Sequence, residues 1–414
     1  MSSKVLTPQR FLVVFLGALM LICSPLLLSY RYLHQYGETL SPAKITDEMQ
    51  RHSETYYRSA MHDNLRETAL ELLRRRQPEI IALGSSLSYA FRQEYFANSF
   101  GCGCGVMDSI SEGEDFVDQL IESTRPKIVL FVLDFWWFTD PAVVRRGNMT
   151  QVTASPLFSF AQLRVPYKQL TGGQITLSQF LGLAPLPATE IVKNPPLGLM
   201  ANLDNVGRRL DGSQLNGLVF SPRAWDFYAP VRERLAAPEK FIMQPGRFGP
   251  DLSIHSERIA ILKRTTQKLR DHGAHVILIY PPMAPQIVTA MEKSEHHGHF
   301  FDLARKIEAL GLEFYDCHSA SALGIEPAEF SDTHHGGNTA YMRILSAILK
   351  KNPASPLAKV VNQNKITRWA EDFRGTTVAV FEQDHINVAE TDFLGLGTAK
   401  DRAQHLLKSA KQAR

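Results

Sequence analysis

Apolar residues along this chain follow three patterns. The first is one unbroken run. Phe11 to Tyr30 carries no charge over 20 residues, enough at a helical rise of about 1.5 Å per residue to cross a bilayer core of roughly 30 Å. The second is a set of short, wholly apolar runs ended by breakers: Ile80-Ile81-Ala82-Leu83 before Gly84, Lys127 to Phe135, His275 to Tyr280 before Pro281-Pro282, and Leu312 to Asp316. Runs of this length and character predict buried strands of a parallel sheet. Phe100 to Met107, glycine-rich, predicts another. The third is helical spacing. It predicts helices over Met61 to Arg76, stopped by Pro78, and over a segment carrying Phe116, Val117, Leu120 and Ile121 behind a capping box of Ser111 and Glu114. Further helices are predicted over Ser256 to Asp271, His299 to Leu310 and Asn338 to Lys350, the first two closed by Gly273 and Gly311.

Strands that alternate with helices imply an α/β fold, a doubly wound (flavodoxin-like) parallel sheet of about five strands. The alternation divides the chain into a cytoplasmic tail (1–10), a transmembrane anchor (11–30), a polar stalk with scattered aromatics (31–60), an α/β domain (61–352) and a C-terminal extension (353–414). The extension reads as one short strand near Val378–Phe381 and a polar terminal helix. Between about residues 136 and 250 the alternation stops. This stretch is rich in Pro, Gly, Gln and Asn, with weak helical pieces near 176–182 and 224–236, and is expected to be an insertion after the third strand.

Charge adds a direction to the apolar run. Lys4 and Arg10 precede it and Arg31 follows, which favours an N-terminus in the cytoplasm and the bulk of the chain outside. A cleaved signal peptide is the rival reading, although no small-x-small site ends the run. The net charge of +3 is dispersed and shows no nucleic-acid footprint. Four cysteines do not make a disulfide scaffold, and Cys102 and Cys104 are expected to be too close along a strand to bridge. Asn148-Met149-Thr150 forms a glycosylation sequon whose meaning depends on the source.

In open α/β sheets, ligands bind beyond the carboxyl ends of the strands. Ser85 and Ser86 follow the first strand directly and are expected there, and Ser331-Asp332-Thr333-His334-His335 stands far downstream. A serine hydroxyl becomes a nucleophile when a base takes its proton and a third group holds that base in the right tautomer. Ser86, His335 and Asp332 can fill those roles, with His334 as the alternative histidine. Asp332 with two histidines lacks a fourth ligand, so no metal and no cofactor are expected. Ser88 reads as a helix cap, and His296, His297 and His299 as a solvated loop. Trp136 and Trp137 fit either a core or a sugar-stacking platform, with Tyr228 as a third candidate face. Arg209 with Asp211-Gly212-Ser213 fits either a polar groove or a turn.

Gly84-Ser85-Ser86 after the first strand, and Asp332-Thr333-His334-His335 followed by Asn338 and Tyr341, resemble the first and fifth sequence blocks of the SGNH (GDSL-like) hydrolases. The resemblance covers roughly 80–350 apart from the insertion. It implies Ser86 as nucleophile and an oxyanion hole built from the N–H groups of Ser86 and Gly113. The third block, Gly-x-Asn, has no counterpart: the equivalent strand end is Asp134-Phe135-Trp136-Trp137. With the anchor, the layout is most similar to the D-alanine transfer protein and the alginate O-acetylation proteins. The resemblance therefore implies a serine-dependent O-acyltransferase held outside the cytoplasmic membrane. It would modify a cell-envelope glycan beside a multi-span membrane O-acyltransferase. A glycan esterase of the same fold, or an inactive polysaccharide-binding scaffold, is the alternative.

Overall fold

The computed structural model describes residues 7–61, 64–139, 160–186, 196–217, 224–377 and 393–396. Lys4, the sequon at Asn148, the strand expected near Val378–Phe381 and the polar terminal helix lie outside the described residues. The chain forms two compact units. One combines residues 1–63 with 151–207, and the other combines 64–150 with 208–414.

In the first unit, helix α1 (Pro8–Gln35) runs well past the apolar stretch. By length and composition it is long enough to cross a membrane, and its apolar window is unburied. Its last turns behave differently: Tyr32, Leu33 and Tyr36 pack with Ile175, Phe180, Leu186 and Leu199 in a small core. Helix α2 (Pro42–Arg51), capped by Ser41, buries Ile45 and Met49. The region expected to be a stalk is therefore folded, because the second half of its core arrives from residues 160–204. The expected single insertion is split accordingly: 151–207 belongs to this unit and 208–250 to the other. Glu38 ties the pieces together. Its buried carboxylate accepts N–H bonds from Ala60 (2.9 Å) and Leu199 (2.6 Å) and a hydroxyl bond from Ser59.

The second unit is built on five parallel strands: β1 (Ile80–Gly84), β2 (Phe100–Cys104), β3 (Ile128–Val132), β4 (His275–Tyr280) and β5 (Phe314–Asp316), in the spatial order β2-β1-β3-β4-β5. This is the order of flavodoxin-type sheets. Every residue of β1, β2 and β3 is buried, as their unbroken apolar sequences require. Ile80 stands level with Phe100 on one side and Ile128 on the other. Besides short helices between Ala224 and Ile242, its helices include α3 (Leu65–Arg76), α4 (Ile110–Ser123), α5 (Ser256–Asp271), α6 (Pro285–Glu292), α7 (Gly298–Glu308), α8 (Asn338–Lys351) and α9 (Gln363–Asp372).

Helices α6 and α9 have no counterpart among the expected elements. α6 begins on Pro285, a residue suited to the first turn. α9 has few apolar residues but buries Ile366 and Ala370, and Arg343 of α8 reaches its Ala370 carbonyl and Glu371.

Cys102 and Cys104, expected to stay apart, are joined as a disulfide with their Cα atoms 5.1 Å apart. They share one face of β2, and on the other face Gly101 and Gly103 stand where a Cβ would meet Leu73 and Pro78, and Leu83 and Phe116. The turn Asp211-Gly212-Ser213 covers the edge of this strand. Cys102 N–H donates to the Asp211 carbonyl (2.7 Å), and Gly212, at φ +84°, presses against the Cys102 backbone where a side chain has no room. Of the two readings of this segment, the turn is the one observed.

Removing Glu38 leaves two buried N–H groups without an acceptor, a loss of about 1–3 kcal/mol for each. The expected result for Glu38→Ala is selective loss of hydrogen-exchange protection at Ala60 and Leu199, with the amides of β1 and β3 unaffected.

Candidate active site

The site stands at the carboxyl edge of β1. Gly84 ends the strand where a Cβ would lie 2.9 Å from Ser88 Oγ and 3.1 Å from the Val132 carbonyl, so no larger residue fits. Ser85 then caps a single 3-10 turn, its hydroxyl accepting from Leu87 N–H (3.1 Å). Ser88, expected as the cap, instead donates its hydroxyl to the Ser85 carbonyl (2.7 Å). The turn is held from above by Tyr341 of α8, whose hydroxyl donates to Leu87 O and whose ring meets Phe91 edge-on at 4.8 Å. Ser86 is thereby presented on a turn fixed at both ends.

His335 arrives from the loop before α8. Its Nε2 lies 2.7 Å from Ser86 Oγ and its Nδ1 lies 2.6 Å from Asp332 Oδ2. The other carboxylate oxygen accepts the backbone N–H groups of His334 and His335, both at 2.8 Å. One aspartate therefore folds the turn and orients the imidazole together. The side chains of His335 and Asp332 remain 27% and 23% exposed, open on one side.

Charge follows geometry. Burial opposes ionisation of Asp332, yet the imidazoles of His335 and His334 and the bonds they donate hold its carboxyl far below the usual range. Burial also works against a charged His335, but the facing Asp332 outweighs it and raises the ring above its ordinary 6.5.

His334 takes a different place. It packs against Trp136 and Phe248 with ring centres 5.8 and 5.0 Å apart, and burial lowers it to about 3. Of the two histidines, His335 is the one bonded to Ser86. Donor atoms of Asp332, His334 and His335 lie within 4.8 Å of one another. Both ring nitrogens of His335 are already engaged, which makes the trio a poor cation cradle.

Four expected site residues stand elsewhere. Gly113 is the fourth residue of α4, and its N–H donates to the Ser109 carbonyl (3.0 Å), so it is spent within the helix. Helix α4 starts earlier than expected because Ser109, not Ser111, caps it, accepting from Glu112 N–H. Ser86 N–H, the other expected donor, is the first amide of the 3-10 turn that Ser85 caps. Trp136 and Trp137 are buried, as is Tyr228, which lies against Phe393. None of these three offers a face to a sugar. Of the three, Trp136 packs against the site through the His334 ring.

The structure adds residues that sequence reasoning did not find. Arg247 sets its guanidinium 4.6 Å from the centre of the Trp136 ring, and its charge is felt by His334, His335 and Asp134. The loop bearing Arg247 is pinned by His297, whose buried Nε2 lies 3.2 Å from the carbonyls of Ile242 and Phe248. His297, expected in a solvated loop, is thus a core tie. His299 is also packed in, and burial lowers it to about 4. His296 fits the expectation, half exposed beside Asp251.

Asp134, at the end of β3, is wholly buried, and neither carboxyl oxygen has a hydrogen-bond partner among the described residues. Burial pushes it up to about 8, against the lowering influence of the Ser85 hydroxyl, Arg247 and His335.

No family model, curated protein or solved structure matches this chain. The site's chemistry therefore rests on its own geometry.

Asp134 has a signature in stability. Its folded-state value near 8 exceeds the ordinary 3.8, so the folded state holds its proton longer than the unfolded chain. Stability from this group is complete below about pH 4 and is lost as pH rises to about 8. Asp134→Asn removes the titration. The variant is expected to gain on the native chain by at most about 1.4 kcal/mol per pH unit across that window, and by a constant amount above it, as read by urea denaturation.

Proposed function

We propose that this protein is a membrane-anchored, serine-dependent acyl-transfer enzyme of the SGNH-hydrolase type, working on a cell-envelope glycan outside the cytoplasmic membrane. The observation that carries the reading is the continuous line from Ser86 Oγ to His335 Nε2 (2.7 Å) and from His335 Nδ1 to Asp332 (2.6 Å). It joins residues 249 positions apart at the carboxyl edge of the sheet.

In this reading His335 takes the Ser86 proton as the hydroxyl attacks an acyl carbonyl. Asp332 holds Nδ1–H and stabilises the imidazolium that forms. The oxyanion is met by Ser86 N–H. His335 then protonates the leaving group, which departs and leaves acyl-Ser86. In the second half His335 deprotonates the incoming hydroxyl. That hydroxyl belongs to a sugar in transfer and to water in hydrolysis. Helix α1, long enough to span a bilayer, would hold the site where a multi-span membrane O-acyltransferase delivers acyl groups. This favours transfer.

A second reading, an inactive glycan-binding scaffold, draws on Asp134 standing at a strand end where the SGNH pattern has its asparagine.

The test uses the full chain in detergent. A fluorophosphonate probe is expected to label Ser86 and to fail with Ser86→Ala. With His335→Ala the rate should fall by about 10²–10⁴-fold. Because only neutral His335 can act as base and its ring is raised above 6.5, labelling should climb as pH rises through that raised value. A native chain that is never labelled would support the scaffold. Given an activated acetyl ester, the enzyme should hydrolyse slowly alone and acylate an added oligosaccharide. Fast hydrolysis indifferent to acceptor would make it an esterase.

A further inference from the structure

The first unit carries a surface that the acyl-transfer reading does not use. Two polar bonds attach residues 160–186 to α1. Ser29 Oγ donates to the Leu163 carbonyl and the Tyr167 hydroxyl donates to the Pro25 carbonyl, both at 2.6 Å. A ring contact from Phe180 to Tyr32 at 5.5 Å extends the attachment, and Phe180 also meets Tyr167 of its own segment at 5.2 Å.

Height along α1 gives this attachment its meaning. Pro25 and Ser29 lie inside the uncharged run that ends at Tyr30. At about 1.5 Å per residue, the Tyr167 hydroxyl and the Leu163 carbonyl are bonded within the last ~8 Å of that run. At the same height Leu27, Leu28 and Tyr30 remain exposed on α1. A backbone seated there must satisfy its polar groups internally, as the Pro25 and Leu163 carbonyls do.

The composition of the segment agrees. Residues 160–186 include no Asp or Glu. Arg164 and Lys168 are exposed one helical turn apart, and Arg31 is exposed where α1 leaves the run. Leu177 and Leu183 stand 59% and 78% exposed. Tyr30, 44% exposed, and the half-buried Tyr167 stand at this level, where aromatic residues favour the membrane interface. A basic surface with two tyrosines and outward leucines suits the boundary between headgroups and acyl chains, and its charge suits anionic lipid.

We propose that residues 160–186 are a membrane-surface element that lies in the headgroup layer around the exit of α1 and binds anionic phospholipid. This rests on α1 crossing the membrane. The segment would then form a second contact with the bilayer and fix the first unit against it.

The experiment uses the full chain with Cys23→Ser and Cys317→Ser, in nanodiscs of phosphatidylcholine and phosphatidylglycerol. One fluorophore at a time is attached at Phe15→Cys, Thr171→Cys, Leu177→Cys or Glu54→Cys. Thr171 and Leu177 labels should be quenched by headgroup nitroxide lipids and shielded from a water-soluble nickel chelate. The Glu54 label, on exposed chain of the same unit, should behave oppositely. Replacing phosphatidylglycerol with phosphatidylcholine, or Arg164 and Lys168 with Gln, should cost about half of the Thr171 quenching, since each basic residue contributes near an anionic surface. Thr171 and Leu177 labels as open to the chelate as Glu54, with Phe15 still sensing lipid, would overturn the proposal alone. A Phe15 label that senses no lipid would overturn the membrane span as well.

Discussion

The constraint on which this architecture depends is the complete burial of its central strands. β1, β2 and β3 have no solvent face, and all five strands run the same way. A parallel sheet sends every strand's exit to one edge, so the polar residues that follow its strands gather there. Ser85, Ser86 and Asp134 directly follow apolar strands. Gly84 makes the exit sharp because Ser88 and Val132 leave no space for a side chain. The position of the serine is thus a consequence of packing before it is a matter of chemistry.

Electrostatics then separate side chains of the same kind. His334 and His335 are neighbours, with ring centres 4.2 Å apart. Both lie beside Asp332, but burial against Trp136 and Phe248 prevails at His334 and lowers it, whereas the direct bond to the carboxylate helps to raise His335. Asp332 and Asp134 divide in the opposite sense. Asp332 accepts three N–H groups and stays ionised, whereas Asp134 accepts none and holds its proton. Burial, neighbouring charge and hydrogen bonding set the members of each pair apart, although their covalent chemistry is identical.

Much of the α/β unit was legible because its signals are local. A four-residue apolar run before Gly84 has few other uses, and the observed α5 and β4 match the expected bounds at Ser256–Asp271 and His275–Tyr280. Asp332 and His335 were legible because three residues suffice for the carboxylate to reach back within one turn. What escaped depends on partners distant in sequence. The aromatics of residues 31–60 have no period, and the residues they pack against lie more than a hundred positions on. Arg247 sits in irregular chain where nothing local marks it. The start of α4 was ambiguous for a simpler reason: Ser109 with Glu112 and Ser111 with Glu114 both satisfy the capping pattern, and the difference decides whether Gly113 keeps a free N–H.

The small core shared by the end of α1 and residues 175–199 bears on how the protein can be handled. Soluble fragments of chains with an apolar N-terminal helix are ordinarily prepared by cutting after the hydrophobic stretch. Here a cut beyond residue 36 would remove Tyr32, Leu33 and Tyr36 from that core and bare Ile175, Phe180, Leu186 and Leu199 to water. Such a fragment would be prone to aggregate even though its α/β unit was untouched. Helix α1 and the first folded unit are one continuous piece of protein, and a cut between them opens the core that they share.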